Sequence, residues 1–221
     1  MEELSIAIAP TEAVSAILER PPAARALLVL AHGAGAGMRH RFMNELAAAL
    51  GERGVATLRY HFPYMEAGRR RPDRPALLEA TVRAAVAEAA RRAGDLALFA
   101  GGKSMGGRMA SQAAANGLRV DGLIFLGYPL HPPGRFEKLR DAHLPKITAP
   151  MLFVQGTRDD FARSDLLEAT RATLGDRATL VKIEDGDHSF AVRKKLTGQT
   201  SADVERAIGQ SVVDWLTLRG L

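Results

Sequence analysis

Short apolar runs of strand length, separated by longer helical segments, constrain this chain more than any other feature of its sequence. Leu27–Ala31 (LLVLA) is apolar at every position, as expected of a strand covered on both faces. Val55–Tyr60, Leu96–Ala100, Leu123–Leu126, Met151–Gln155 and Thr179–Glu184 repeat the theme, and Leu4–Ala9 and Ala13–Leu18 precede them. Helical segments fall between: about His40–Leu50, ended by Gly51 and Gly54; about Pro75–Ala93, closed by Gly94; from the GGKSMGGR segment to about Asn116, with Gly117 as C-cap; about Asp165–Leu174; and about Ala202–Leu218. Strands alternating with helices of this length predict an α/β architecture, a mostly parallel eight-stranded sheet with helices on both faces. Only Pro10 and Thr11 separate the first two strands, too few for a crossover helix, so that pair is expected to be antiparallel.

The 221 residues suit a single domain, 1–221, and no repeat, low-complexity tract or linker divides them. The N-terminal MEELSIAIAP lacks a basic n-region and no apolar run approaches a membrane span, so a cytoplasmic protein without membrane partners is expected. With no cysteine, disulfides, thiolate metal sites and a cysteine nucleophile are excluded. The net charge of +5 comes from basic residues spread along the chain, with one run at Arg69–Arg71. Despite nearby Tyr60, Phe62 and Tyr64, that run reads as a solvated loop, and no nucleic-acid partner is expected.

The chemistry concentrates in LALFAGGKSMGGRMASQAAA, residues 96–115. An apolar strand ends in glycines, a serine follows, and a helix of small residues begins. Gly102–Gly106 match GxSxG, the motif of a strand turning sharply into a helix with the serine exposed at the tip. Close approach of the two backbones requires small residues on either side, and the helix N-terminus just beyond favours negative charge. A phosphate-binding loop is excluded by spacing, because the glycine it requires five residues before Gly102 is Ala97, inside the strand.

A nucleophilic Ser104 needs a base, and the base an orienting acid. Of the histidines at 32, 40, 61, 131, 143 and 188, His188 lies in a loop between the last strand and the last helix, where the chain order serine–acid–histidine requires it. The acid is expected after Met151–Gln155, at the carboxyl edge of the sheet: Asp159, with Asp160 as the close alternative. Asp185 and Asp187 flank His188 too tightly to be first choices. An oxyanion hole needs two backbone amides, assigned to Met105 and Ala34. Ala34 sits in the loop His32–Gly37, where Gly33 lets backbone approach a substrate closely; its GxGxG spacing does not fit a dinucleotide fingerprint.

LAHGAGAGM (30–38), FPYME (62–66), GGKSMGGR (101–108), QGTRD (155–159) and DGDHSF (185–190) together resemble a group of small predicted α/β-hydrolases related to dienelactone hydrolase. The similarity covers nearly the whole chain. It implies the α/β-hydrolase fold, a Ser104–Asp159–His188 triad, and a place for FPYME near the active face, with Phe62, Tyr64 and Met65 lining the substrate pocket. Dienelactone hydrolases proper use a cysteine nucleophile, so their substrate is not carried over. The expected reaction is hydrolysis of a carboxylic ester or related small acyl compound through an acyl-enzyme, with no metal or organic cofactor. Some eukaryotic relatives act as subunits of chromatin complexes, so the alternative is a non-catalytic binding or scaffold protein that keeps the fold.

About 24 residues separate Leu126 from Met151, room for a loop and a short helix but not for a large lid. The site is therefore expected to be open, and in a panel of esters of increasing acyl length the short ones should be cleaved at least as well as the long. Activity confined to long acyl chains would contradict this.

Overall fold

A computed structural model of the protein describes residues 1–9 and 12–221. The turn expected at Pro10 and Thr11 lies outside the described residues. Eight strands form one sheet: β1 (Glu2–Ala9), β2 (Glu12–Glu19), β3 (Ala26–Ala31), β4 (Val55–Tyr60), β5 (Ala97–Lys103), β6 (Gly122–Leu126), β7 (Met151–Gly156) and β8 (Ala178–Ile183). Their spatial order is β1-β2-β4-β3-β5-β6-β7-β8. β2 runs antiparallel to both β1 and β4, and every pair from β4 to β8 is parallel.

Side-chain alternation along the central strands serves two cores. Leu27 and Val29 of β3 face the side covered by α3 (Pro75–Ala93), α4 (Met105–Ala115) and α5 (Ser164–Leu174), while Leu28 and Leu30 face α1 (Arg41–Gly51) and α7 (Ser201–Thr217). Both faces of β3 are buried, which is why its sequence reads as an unbroken apolar run. α7 begins with a capping box in which Thr200 and Asp203 satisfy each other's backbone N–H groups.

The chain reverses its direction of travel across the sheet at β3, which has β4 on one side and β5 on the other. Such a reversal opens a crevice beyond the carboxyl ends of the strands, and the loops after β3 and β5 meet there. Two details differ from the sequence expectation. β5 continues through Gly101 and Gly102 to Lys103, because its flanking strands hydrogen-bond to it along that whole length. Two helical turns, α2 (Pro63–Glu66) and α6 (Lys194–Thr197), are too short to leave a periodic signal. The segment between β6 and β7 contains a 3₁₀ turn at Leu144–Lys146 and packs down through buried Tyr128, Leu130 and Leu144. Among the described residues no helix is long and apolar enough to cross a membrane.

One close backbone approach lies at the start of α4. A Cβ added at Gly106 would stand 2.5 Å from the carbonyl oxygen of Ala31 in β3, an atom that cannot move without shifting the sheet. Gly106→Ala should therefore lower the urea unfolding free energy by about 3 kcal/mol, the upper range for overpacking. Gly51→Ala, where an added Cβ meets nothing within 4 Å, should leave it unchanged or slightly raised.

Candidate active site

Ser104 stands between β5 and α4 with φ 49° and ψ −113°, a conformation that a non-glycine residue adopts only when its surroundings enforce it. The enforcement is local. The Ser104 N–H donates to the carbonyl of Leu126 at 3.0 Å, and the Arg108 N–H donates to the Ser104 carbonyl at 3.1 Å. Gly102 and Gly106 allow β5 and α4 to lie against Ala31. The hydroxyl is thereby held at the N-terminus of α4, where the first amides of the helix are unpaired.

His188 Nε2 lies 2.8 Å from Ser104 Oγ. Its other nitrogen, Nδ1, faces the Asp159 carboxylate at 2.8 and 3.0 Å. Nδ1 therefore carries the hydrogen, which leaves Nε2 free to accept from the serine. The Asp159 side chain is 1% exposed. Its buried charge is met by His188, by the backbone N–H of Phe161 at 2.8 Å, and by the side-chain amide of Gln155. Gln155 is itself fixed, its oxygen accepting from the Tyr128 N–H at 2.8 Å. Asp160, the alternative acid, is exposed, and the carboxylate on His188 is that of Asp159.

The loop that carries His188 is pinned at several points. Asp185 is buried and sits at φ 57°; its carboxylate accepts from the Arg193 backbone and guanidinium and faces Arg158 at 2.9 Å. Hydrogen bonds from Arg193 hold the Asp185 carboxyl down at about 2. Asp187 accepts the N–H groups of Ser189 and Ala191 at 2.8 and 2.9 Å. The two aspartates beside His188 thus shape its loop, and Asp159 orients its ring. The Phe161 ring packs on His188 with centroids 4.2 Å apart.

Opposite Ser104, the loop after β3 presents an exposed Ala34, and the N–H groups of Ala34 and Met105 donate to no acceptor among the described residues. Gly33 lies against the Ser104 turn, where an added Cβ would be 3.7 Å from Ser104 Cβ. His32 braces this loop from beneath. It is fully buried, donates from Nδ1 to the Gly33 carbonyl at 2.8 Å, and accepts at Nε2 from the Phe62 N–H at 3.1 Å. Desolvation lowers its pKa to about 4, so it is neutral at ordinary pH.

The structure corrects the expectation for Phe62, Tyr64 and Met65. Phe62 and Tyr64 are fully buried, and none of the three reaches the cavity beside Ser104. They stand behind the loop instead. The Tyr64 hydroxyl faces the Gly35 N–H at 3.4 Å, the Phe62 ring meets His32 edge-on at 5.0 Å, and Met65 lies under Gly37. Apolar side chains next to a glycine loop supply its support, because the backbone itself has nothing to pack. The cavity, about 390 Å³, is walled by Phe42 and Met43 of α1, Phe161, and the Gly33–Ala36 loop. Phe42, Met43 and Phe161 are positions that sequence reasoning missed, since α1 reads only as an amphipathic helix. Gln155 was missed because it lies inside a strand-like run, and Lys103 because the GxSxG motif places no demand on that position. Lys103 is half-buried beneath His188, and burial lowers its amine to about 8 against the pull of Asp159 and Asp187.

A model of the α/β hydrolase domain matches residues 24–217. Among solved structures, the chain is similar to a dienelactone hydrolase from Anabaena variabilis (TM-score 0.74, 21% identity, 98% of this chain and 96% of that one). It is similar also to Est1E from Butyrivibrio proteoclasticus, solved with ferulic acid bound (TM-score 0.76, 19% identity, 97% and 99%). A third is an α/β serine hydrolase without a lid from Xanthomonas campestris (TM-score 0.74, 21% identity, 97% and 94%). At these identities the likeness is one of fold.

The neutral His32 has a measurable consequence. Its folded pKa lies below the value of 6.5 for a free imidazole, so between pH 6.5 and about 4 the unfolded chain binds a proton that the folded protein does not. Stability should be fully present above 6.5 and fall through this window by up to about 3 kcal/mol. In urea unfolding at a series of pH values, His32→Gln should show a shallower decline over that window. Equal slopes would exclude His32 as the group responsible.

Proposed function

The chain belongs to the α/β-hydrolase family, and from that premise we propose that it is a serine hydrolase cleaving a carboxylic ester or related acyl compound through an acyl-enzyme on Ser104. The observation that carries this reading is the continuous hydrogen-bonded line from Ser104 Oγ through both nitrogens of His188 to buried Asp159. In the reaction, His188 Nε2 takes the Ser104 proton as Oγ attacks the acyl carbon. The oxygen that gains charge is received by the N–H groups of Ala34 and Met105. His188 then returns the proton to the leaving alcohol, and the acyl group remains on Ser104. Water, deprotonated by the same nitrogen, attacks the acyl-enzyme and releases the acid. Asp159 keeps the imidazole in the required tautomer and stabilises the imidazolium that forms.

The cavity supports a modest acyl compound. Phe42, Met43 and Phe161 offer apolar contact beside the nucleophile, and the segment between β6 and β7 contributes no residue to its wall. Esters with small apolar or aromatic acyl groups fit such a cleft.

A fluorophosphonate probe tests the reading without the natural substrate, because it labels a serine only when that serine is activated. Wild type should be labelled, Ser104→Ala should not, and His188→Ala should react at least about 100-fold more slowly. Folded wild type that takes no label would count against hydrolysis and in favour of a binding role for this fold.

A further inference from the structure

Lys103 immediately precedes the nucleophile, yet the reaction described above gives it no part. Its side chain turns under the site. The amine donates to the main-chain carbonyl of His188 and lies 5.0 Å from the centre of the Phe190 ring, over its face. The space for it is made by Gly127, at the end of β6: a Cβ built there would stand 2.7 Å from Lys103 Nζ and 3.6 Å from Asp159 Oδ2. Gly127 itself is held by its N–H to the Val154 carbonyl at 2.8 Å and sits at φ 65°. The ammonium thus occupies a notch where β5, β6 and β7 end, with the His188 loop closing over it.

The groups facing this amine come from two of the loops that meet there. The turn after β7 supplies the Asp159 carboxylate, and the loop after β8 supplies Asp187, the His188 carbonyl and the Phe190 ring. Phe190, at φ 64°, is buried and stacked on Phe42 with centroids 5.8 Å apart, so the ring under the ammonium is fixed. A flexible lysine is immobilised in a partly desolvated place, at a cost that a surface lysine avoids.

We propose that Lys103 is a positioning residue of the Ser104 site, its ammonium tying the His188 main chain to the strand that carries the nucleophile and setting a positive charge beside the Asp159–His188 pair. The two effects are separable. The hydrogen bond sets where the imidazole stands relative to Ser104 Oγ. The charge opposes protonation of His188 and keeps the base in its accepting form at lower pH. This proposal rests on the reading of Ser104, His188 and Asp159 as the reacting set.

Lys103→Gln keeps a donor for the His188 carbonyl and removes the charge. Lys103→Met removes both, and Lys103→Arg keeps both. Two measurements are made on each folded variant: the titration midpoint of His188 by NMR of its ring protons, and kcat and KM on an activated ester across pH. The midpoint should rise by about one pH unit in the Gln and Met variants and stay near the wild-type value in Arg. kcat should fall about tenfold in Gln and by about a further tenfold in Met, with KM changed less than about twofold and the acidic limb of the profile following the midpoint. A His188 midpoint that is the same in folded wild type, Gln and Met variants would overturn the proposal, whatever the rates. Because the NMR midpoint needs no turnover, it tests Lys103 even if the fluorophosphonate leaves Ser104 unlabelled, an outcome that would count against the hydrolase reading alone. If Lys103→Met does not fold, the comparison of Gln with Arg decides the question.

Discussion

The close contact between the Ala31 carbonyl and the backbone of Gly102 and Gly106 is the constraint from which the rest of the site follows. Side chains at either position would separate β5 and α4 from β3. With hydrogen in their place, the chain turns directly from strand to helix and Ser104 is left in a conformation that isolated serine avoids. The energy needed to hold it there comes from the sheet on either side. β3 pairs with β5 as far as Gly102 and β6 as far as Lys103, and the two cores press helices against both faces. Strain at one residue is tolerated because many ordinary contacts surround it.

From that fixed point the other groups are brought in by loops, and each loop carries its own anchors. The His188 loop is held by Asp185 between Arg158 and Arg193, by Phe190 against Phe42, and by the Lys103 amine. The loop after β3 is held by His32 and by the FPYME turn behind it. Asp159 is held by Gln155 and the Phe161 amide. In the first two cases a buried polar group is satisfied by partners from another segment, and Asp159 is satisfied within its own turn as well as by His188, so no anchor functions alone. The exposed tip of each loop is left free to meet a substrate.

The segment between β6 and β7 shows how an open cleft is compatible with a well-packed molecule. Tyr128, Leu130, His131 and Leu144 turn inward, and Ser111 of α4 bonds His143 at 2.7 Å. The His131 ring accepts the Arg163 N–H at 2.9 Å. These contacts draw the segment down against α4 and the start of α5, away from the cavity beside Ser104. Its length alone excludes a large cover; its buried residues decide where it lies.

Much of this was legible in the sequence wherever a short-range rule applied. The parallel strands, the antiparallel start, the long alanine-rich helix and the elbow at Ser104 all follow from apolar runs, glycine placement and chain order. The sequence signal for His188 was its position after the last strand, and the structure sets its ring 2.8 Å from Ser104 Oγ. Asp159 and Asp160 could not be separated by sequence, because adjacent residues in a turn differ only in where their side chains point; folding buries one and exposes the other. The resemblance implied that Phe62 and Tyr64 line the pocket, but tertiary packing set them behind the loop, where they support its glycine backbone. Gln155 and Phe42 carry no local signal and Lys103 stands at an unspecified position of GxSxG, while the contacts Gln155–Tyr128, Phe42–Phe190 and Lys103–His188 each span at least 27 residues. By itself the sequence determined the order of elements and the chemical types available at the site. Only the tertiary structure decided which buried polar groups meet, because those pairings depend on desolvation and distance between parts of the chain that the sequence does not place side by side.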